Sequence, residues 1–131
     1  ILLSTGPVES KALLLKGIKK LKEMDYQLYA TKGTADFLEK NNIKAETLHW
    51  PLEEEKPNIV DFIKEGNIDL VINIPKNFER EELTNGQIIR RTTIDFDVPL
   101  VTNPQNAKLL IDALHEKKLE DIKVKSWDEF K

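Results

Sequence analysis

The sequence predicts an α/β domain: a three-layer αβα sandwich around a five-stranded, mostly parallel sheet. Two observations predict it. Short β-prone apolar runs alternate along the chain with amphipathic segments of helical period, the pattern of consecutive βα units. The runs Ile1-Leu2-Leu3 and Leu70-Val71-Ile72 are apolar throughout, as strands covered on both faces are. Each crossover between parallel strands is expected to be right-handed, and no internal repeat is visible.

The elements follow in order. Ile1 to Ser4 reads as the first strand, and Thr5-Gly6-Pro7 turns the chain, with Pro7 placed to open a helix. Leu14, Ile18 and Leu21 recur at helical spacing with Lys11, Lys16, Lys19 and Lys20 between them, an amphipathic helix of about four turns. Tyr26 to Thr31 is the second strand. A second helix runs from about Thr34 to Lys40 and stops at Asn41-Asn42. Ala45 to Leu48 forms a short third strand, and Pro57 to Glu65 a third helix with Gly66 just past its end. Asp69 to Ile74 is the clearest strand, ended by Pro75. Lys76 to Gly86 is polar and without period, which predicts a long loop. A helix over Gln87 to Asp95, a fifth strand over Val98 to Thr102, and a last helix opened by Asn103-Pro104 complete the pattern. Ala107, Leu110, Ile111 and Leu114 mark the buried face of that helix. The charged tail from Lys117 to Lys131 carries Trp127 and Phe130, which are placed to pin it to the body.

A chain of 131 residues, 40% hydrophobic and 33% charged, fits one globular domain, residues 1–131, with a real core. The formal net charge is −3 with the signs interleaved, which argues against a nucleic-acid binder. The absence of Cys removes disulfides and thiolate chemistry and is compatible with a cytoplasmic location. No apolar run approaches the roughly 20 residues that span a bilayer. The chain opens at Ile1 on a strand, with no Met or signal segment ahead, and so reads as a piece of a longer protein.

Ligands on parallel sheets sit beyond the carboxyl ends of the strands. That rule places Ser4 to Gly6, Thr31 to Thr34, His49 to Pro51 and Asn73 to Asn77 on one rim. Within Leu28 to Phe37 the chain passes from strand through Thr31-Lys32-Gly33-Thr34 into a helix. Gly33, lacking a Cβ, admits close approach to the backbone, and the first N–H groups of the helix favour an anion. Two hydroxyls and the Lys32 ammonium stand beside them. The plainer reading is a strand-to-helix turn with Thr34 as a cap. Asn73 interrupts an apolar strand at its carboxyl end, where an unbonded amide costs about 1–3 kcal/mol. It either satisfies a neighbouring loop or reads a ligand. Trp50 is either a packing aromatic or a flat wall for a base or acyl group. Lys11, Lys32 and Lys76 can each meet a phosphate or carboxylate, or lie solvated on the surface. Arg90-Arg91 is expected to pair with acidic side chains nearby, and Glu53 to Glu55 to form a solvated turn. His49 and His115 have no metal-ligand spacing, Ser4 has no nucleophile-elbow context, and no motif places paired carboxylates. The rim therefore offers binding groups without a catalytic set.

Several stretches, in order, carry a resemblance. They are Tyr29 to Phe37, the Trp50 loop, Asp69 to Pro75, and Ile89-Arg90-Arg91-Thr92. Together they resemble the C-terminal regulatory domain of the carbamoyl-phosphate synthase large subunit, which has the Rossmann-like methylglyoxal synthase-like fold. The resemblance covers Ile1 to about Leu114. It implies a regulatory module, without catalytic residues, metal or cofactor of its own, that binds an allosteric effector. The branches use UMP and IMP, UTP and phosphoribosyl pyrophosphate, or N-acetylglutamate. The resemblance carries effector contact onto Thr31, Thr34, Asn73 and the loop after it, including Lys76 and Asn77. Ser4 matches a position after the first strand, and Gly33 and Lys32 belong to the same turn. Trp50 matches the Trp of branches using UTP or N-acetylglutamate. Nucleotide-monophosphate branches use a Lys there, and their other Lys falls near Ser10-Lys11. The resemblance further implies a parent ligase that uses ATP with Mg2+, a nucleotide effector such as UMP or UTP, and two macromolecular partners. These are the catalytic domains of the parent and its glutaminase subunit or domain. Methylglyoxal synthase itself looks similar around Gly33-Thr34, which keeps a lyase acting on a small phosphorylated substrate as an alternative. Its catalytic Asp segment is replaced here by Trp50-Pro51-Leu52-Glu53-Glu54-Glu55. The cyclohydrolase domain of late purine synthesis has a similar Gly-Thr turn, but its later motifs are missing here.

Overall fold

The computed structural model describes residues 1–6, 8–74 and 80–116. Strands and helices alternate without exception: β1 (Leu2–Thr5), α1 (Val8–Glu23), β2 (Tyr29–Ala30), α2 (Lys32–Lys40), β3 (Glu46–Thr47), α3 (Ile59–Lys64), β4 (Val71–Ile74), α4 (Arg80–Asp95), β5 (Leu100–Val101) and α5 (Pro104–Glu116). All pairings are parallel, and the strand order is β3-β2-β1-β4-β5. The α/β expectation holds.

The two faces of the sheet follow from the period-2 alternation of strand side chains. Leu3, Ala30, Ile72, Ile74 and Val101 face one side. There they pack with Leu14, Ile18 and Leu21 of α1, Ala35 and Leu38 of α2, and Leu110, Ile111 and Leu114 of α5. Leu2, Val71 and Leu100 face the other side, with Ile59 and Ile63 of α3 and Ile89 of α4. Helices α1 and α5 pack closely, and Gly17 lets them: a Cβ there would lie 3.0 Å from Ile111 Cγ2. The Tyr29 and Phe62 rings meet edge to face, with centroids 5.2 Å apart.

Local chemistry sets the boundaries. Asp25, Asn42, Gly66 and Asp97 take left-handed φ values of 65°, 62°, 78° and 56° just beyond α1, α2, α3 and α4. Gly, Asn and Asp are the residues that tolerate that conformation where a helix stops. Asn58 caps α3, its Oδ1 accepting from Val60 N–H at 2.9 Å. Asn103 caps α5, accepting from Gln105 and Asn106 N–H at 2.9 and 3.1 Å.

Several expected boundaries need correction. Strand β2 keeps only Tyr29–Ala30 of the expected Tyr26 to Thr31, because Thr31 already caps a helix. Helix α2 therefore begins at Lys32, and Lys32, Gly33 and Thr34 form its first turn. Helix α3 is confined to Ile59–Lys64. The expected loop over Lys76 to Gly86 is helical from Arg80 onward. The charged run Arg80-Glu81-Glu82 gave the sequence no apolar period there, which hid the start of the helix. The Pro7 position, Pro75, the loop residues Lys76 and Asn77, and the tail from Lys117 with Trp127 and Phe130 lie outside the described residues.

Candidate functional site

Strand order places the site. β1 and β4 are neighbours, yet β1 leads into α1 on one face of the sheet and β4 precedes α4 on the other. Oppositely directed connections leave a crevice at the carboxyl ends of adjacent strands, where open α/β sheets bind ligands. The register sets Ser4 beside Asn73 and Thr5 beside Ile74 at that point.

On the α1 and α2 side, buried hydroxyls cluster. Thr34 Oγ1 accepts the Thr5 N–H at 3.1 Å and lies 3.4 Å from Thr5 Oγ1 and 3.5 Å from Thr31 Oγ1. All three threonines are buried. Thr34 Oγ1 thus accepts from the Thr5 N–H and the Thr31 hydroxyl and shares a hydrogen bond with the Thr5 hydroxyl, which ties the three side chains together. Thr31 N–H bonds Leu3 O in the sheet at 3.2 Å, and Thr31 O receives the first helical bond from Ala35 N–H at 2.8 Å. The N–H groups of Lys32, Gly33 and Thr34 thus form the positive first turn of α2. Lys11 reaches over from α1: a Cβ on Gly33 would lie 3.8 Å from its Nζ. Gly33 and Lys11 are therefore neighbours in space, which their separation in sequence did not show.

On the α3 and α4 side, Asn73 is 3% exposed, and its Oδ1 accepts from Arg90 Nη1 at 2.9 Å. Arg90 thus bonds a buried amide, where pairing with an acidic side chain was expected. Asn85 is buried in the second turn of α4, and its Oδ1 accepts the Leu52 N–H at 2.9 Å. That bond ties the Trp50 loop to α4. Asn58 holds the same loop from below, donating from Nδ2 to Trp50 O at 2.9 Å and Glu53 O at 3.0 Å. Glu53 Oε1 accepts the Trp50 N–H at 3.0 Å. His49 Nδ1 lies 3.6 Å from both Glu53 Oε2 and Glu55 Oε2. All three glutamates of the acidic triplet are exposed, as a solvated turn requires, and two of them also make these contacts. The Trp50 side chain packs half-buried against the core formed by Leu2, Leu48, Ile59 and Val71.

Of the residues singled out in the sequence, the fold brings Ser4, Thr31, Gly33, Thr34, Lys11, Asn73 and the Trp50 loop to the carboxyl edge of the sheet. Lys32 is placed differently: its side chain is 81% exposed and leans along α2 to Asp36, 3.5 Å away. Lys76 and Asn77 lie outside the described residues. Sequence reasoning set Thr5 on the rim and Arg90 on a helix without foreseeing their partners Thr34 and Asn73, and it gave Asn85 no role. Thr5 carried a signal, as a hydroxyl directly after Ser4 at the end of a strand. For Arg90 the signal was a donor-only side chain on a helix following a strand with a buried amide.

Residues 13–102 match the model of the MGS-like domain family. The chain belongs to the MGS-like domain family. This MGS-like domain is 36% identical over 128 residues to the multifunctional protein CAD of Squalus acanthias, covering 87% of the chain and 6% of that protein. It is 40% identical over 123 residues to the multifunctional protein URA2 of Saccharomyces cerevisiae, covering 87% of the chain and 6% of that protein. It is 35% identical over 117 residues to the carbamoyl phosphate synthase large chain of Archaeoglobus fulgidus, covering 89% of the chain and 11% of that protein. The chain thus corresponds to a small segment of these long relatives. Among the described residues no helix of this MGS-like domain is long and apolar enough to cross a membrane. Nor does any group of three His, Cys, Asp or Glu among them lie where it would hold a metal ion.

Proposed function

We propose that this MGS-like domain is the allosteric effector-binding domain of a carbamoyl-phosphate synthase large subunit. Its ligand is a small anionic effector, best matched by a nucleotide such as UMP or UTP. One observation carries the reading: the hydroxyls of Thr5, Thr31 and Thr34 converge at the first turn of α2, beside the Lys11 ammonium. Helix-start N–H groups, hydroxyls and an ammonium suit the oxygens of a phosphate.

The described polar groups also favour binding over catalysis. They are hydroxyls, amides and cations, while the carboxylates of Glu53 and Glu55 lie 3.6 Å from His49 Nδ1. A methylglyoxal synthase-type lyase needs a carboxylate base in the pocket, so that alternative is weaker. An N-acetylglutamate-responsive regulator is a second reading, supported by the half-buried Trp50, a flat apolar wall for an acyl chain.

In the parent enzyme, effector binding shifts the balance between states of different ATP affinity, with a coupling of about 1–3 kcal/mol. The partners are the catalytic domains, where ATP and Mg2+ belong, and the glutaminase subunit or domain. The product, carbamoyl phosphate, feeds pyrimidine and arginine synthesis, and the setting is cytoplasmic. Thermal unfolding of the chain with each candidate tests the reading. A true effector at a hundredfold excess over Kd stabilises by about 2.7 kcal/mol. No shift with any nucleotide or with N-acetylglutamate would overturn it.

A further inference from the structure

We propose that Arg90 is a positioning residue that fixes the Asn73 amide as a hydrogen-bond donor toward the ligand. The ligand group read at the end of β4 must then be an acceptor: a phosphate, carboxylate or carbonyl oxygen. The inference rests on the effector-site reading above and adds the chemical sign of one contact to it.

An Asn side chain has an acceptor end and a donor end that differ little in shape, and an unconstrained amide can present either. Arg has five N–H donors and no acceptor. Asn73 lies against Arg90 Nη1 at 2.9 Å, so the end that faces the guanidinium must be Oδ1. The Nδ2 group then faces away from it, and a flipped amide would set N–H against N–H. Asn73 is nearly fully buried, so turning the amide would cost its carbonyl oxygen the Arg90 partner. The orientation is a consequence of the partner's chemistry.

The sequence makes room for this pair. Gly86 lies one helical turn before Arg90, and a Cβ there would stand 2.9 Å from Arg90 Nη1 and 3.7 Å from Cζ and Nη2. The guanidinium runs along α4 through space that a side chain at position 86 would take. Across the crevice, the Lys11 ammonium and the first-turn N–H groups of α2 are donors as well. A donor at Asn73 acts together with these, which favours acceptor-rich anions over ligands that bring an N–H to this position.

Calorimetric titration of the 131-residue chain with UMP, UTP and N-acetylglutamate tests it. Four variants accompany the unaltered chain. Asn73→Asp keeps an acceptor for Arg90 but replaces the donor by a second oxygen. It should fold with an undiminished melting temperature and lose at least about tenfold in affinity, the worth of one charge-assisted contact. Arg90→Gln frees the amide to turn and should lose about tenfold, whereas Arg90→Lys retains a donor and should stay within about threefold. Gly86→Ala should hold or raise the melting temperature, because it improves a helix, and yet weaken binding by displacing Nη1. In the unaltered chain the Asn73 side-chain amide resonances should move on adding the ligand. Wild-type affinity in Asn73→Asp, or in both Arg90→Gln and Gly86→Ala, would overturn the positioning role alone. No binding by the unaltered chain would overturn the effector reading beneath it.

Discussion

Thr34, in the first turn of α2, accepts the backbone N–H of Thr5, at the end of β1, at 3.1 Å. The two residues are 29 apart in sequence, and both are buried. The bond fastens the helix start to the central strand and holds the Thr34 hydroxyl at the carboxyl end of β1. One side chain therefore serves the fold and the ligand together.

Thr34→Ala strands the Thr5 N–H and should cost about 1–3 kcal/mol of stability, because a buried donor loses its partner. Thr34→Ser keeps the oxygen and should restore most of that loss. Urea unfolding of the three proteins checks the ranking. Effector affinity measured on the same samples separates the roles: Thr34→Ser should bind nearly as the unaltered chain does.

Gly33 is exposed in the first turn of α2. Gly33→Ala relieves the entropic cost of a helical glycine, so stability should rise by up to about 1 kcal/mol. The added methyl would stand 3.8 Å from Lys11 Nζ, over the N–H groups assigned to the anion. Affinity should fall while the melting temperature rises. Both falling together would place Gly33 in the fold alone.

Asn85 links α4 to the Trp50 loop through Leu52 N–H at 2.9 Å. Asn85→Ala should cost about 1 kcal/mol and loosen that loop. In a Trp127→Phe background, Trp50 emission should then shift to longer wavelength as water reaches the ring. An unchanged spectrum would show that Asn58, which bonds Trp50 O at 2.9 Å, holds the loop by itself.

Gly17 faces Ile111 where α1 and α5 pack, and a Cβ there would lie 3.0 Å from Ile111 Cγ2. Gly17→Leu overfills that contact and should destabilise by about 1–3 kcal/mol. Thermal unfolding reads the effect. Effector affinity should change little, since the contact lies in the core on one face of the sheet, away from its carboxyl edge.

Apolar runs and helical periods made the layers legible, because burial on both faces of a parallel sheet leaves Leu70, Val71 and Ile72 no polar choice. The carboxyl rim followed from that. Asn73 stood out as the one amide in such a run. Its partner did not, because Arg90 bonds it across 17 residues of chain that periodicity could not fold. The start of α4 was hidden for a related reason: a helix without an early apolar stripe looks like a polar loop. Lys32 shows the converse, a cation well placed in sequence whose side chain the helix directs to Asp36.

The most direct test of the central claim is calorimetric titration of the chain with UMP, UTP, IMP, phosphoribosyl pyrophosphate and N-acetylglutamate, repeated on Lys11→Met. The account predicts saturable binding of at least one of these anions at one site per chain, weakened in Lys11→Met with the fold intact. Absence of binding by all five, or binding that ignores Lys11 altogether, would contradict it.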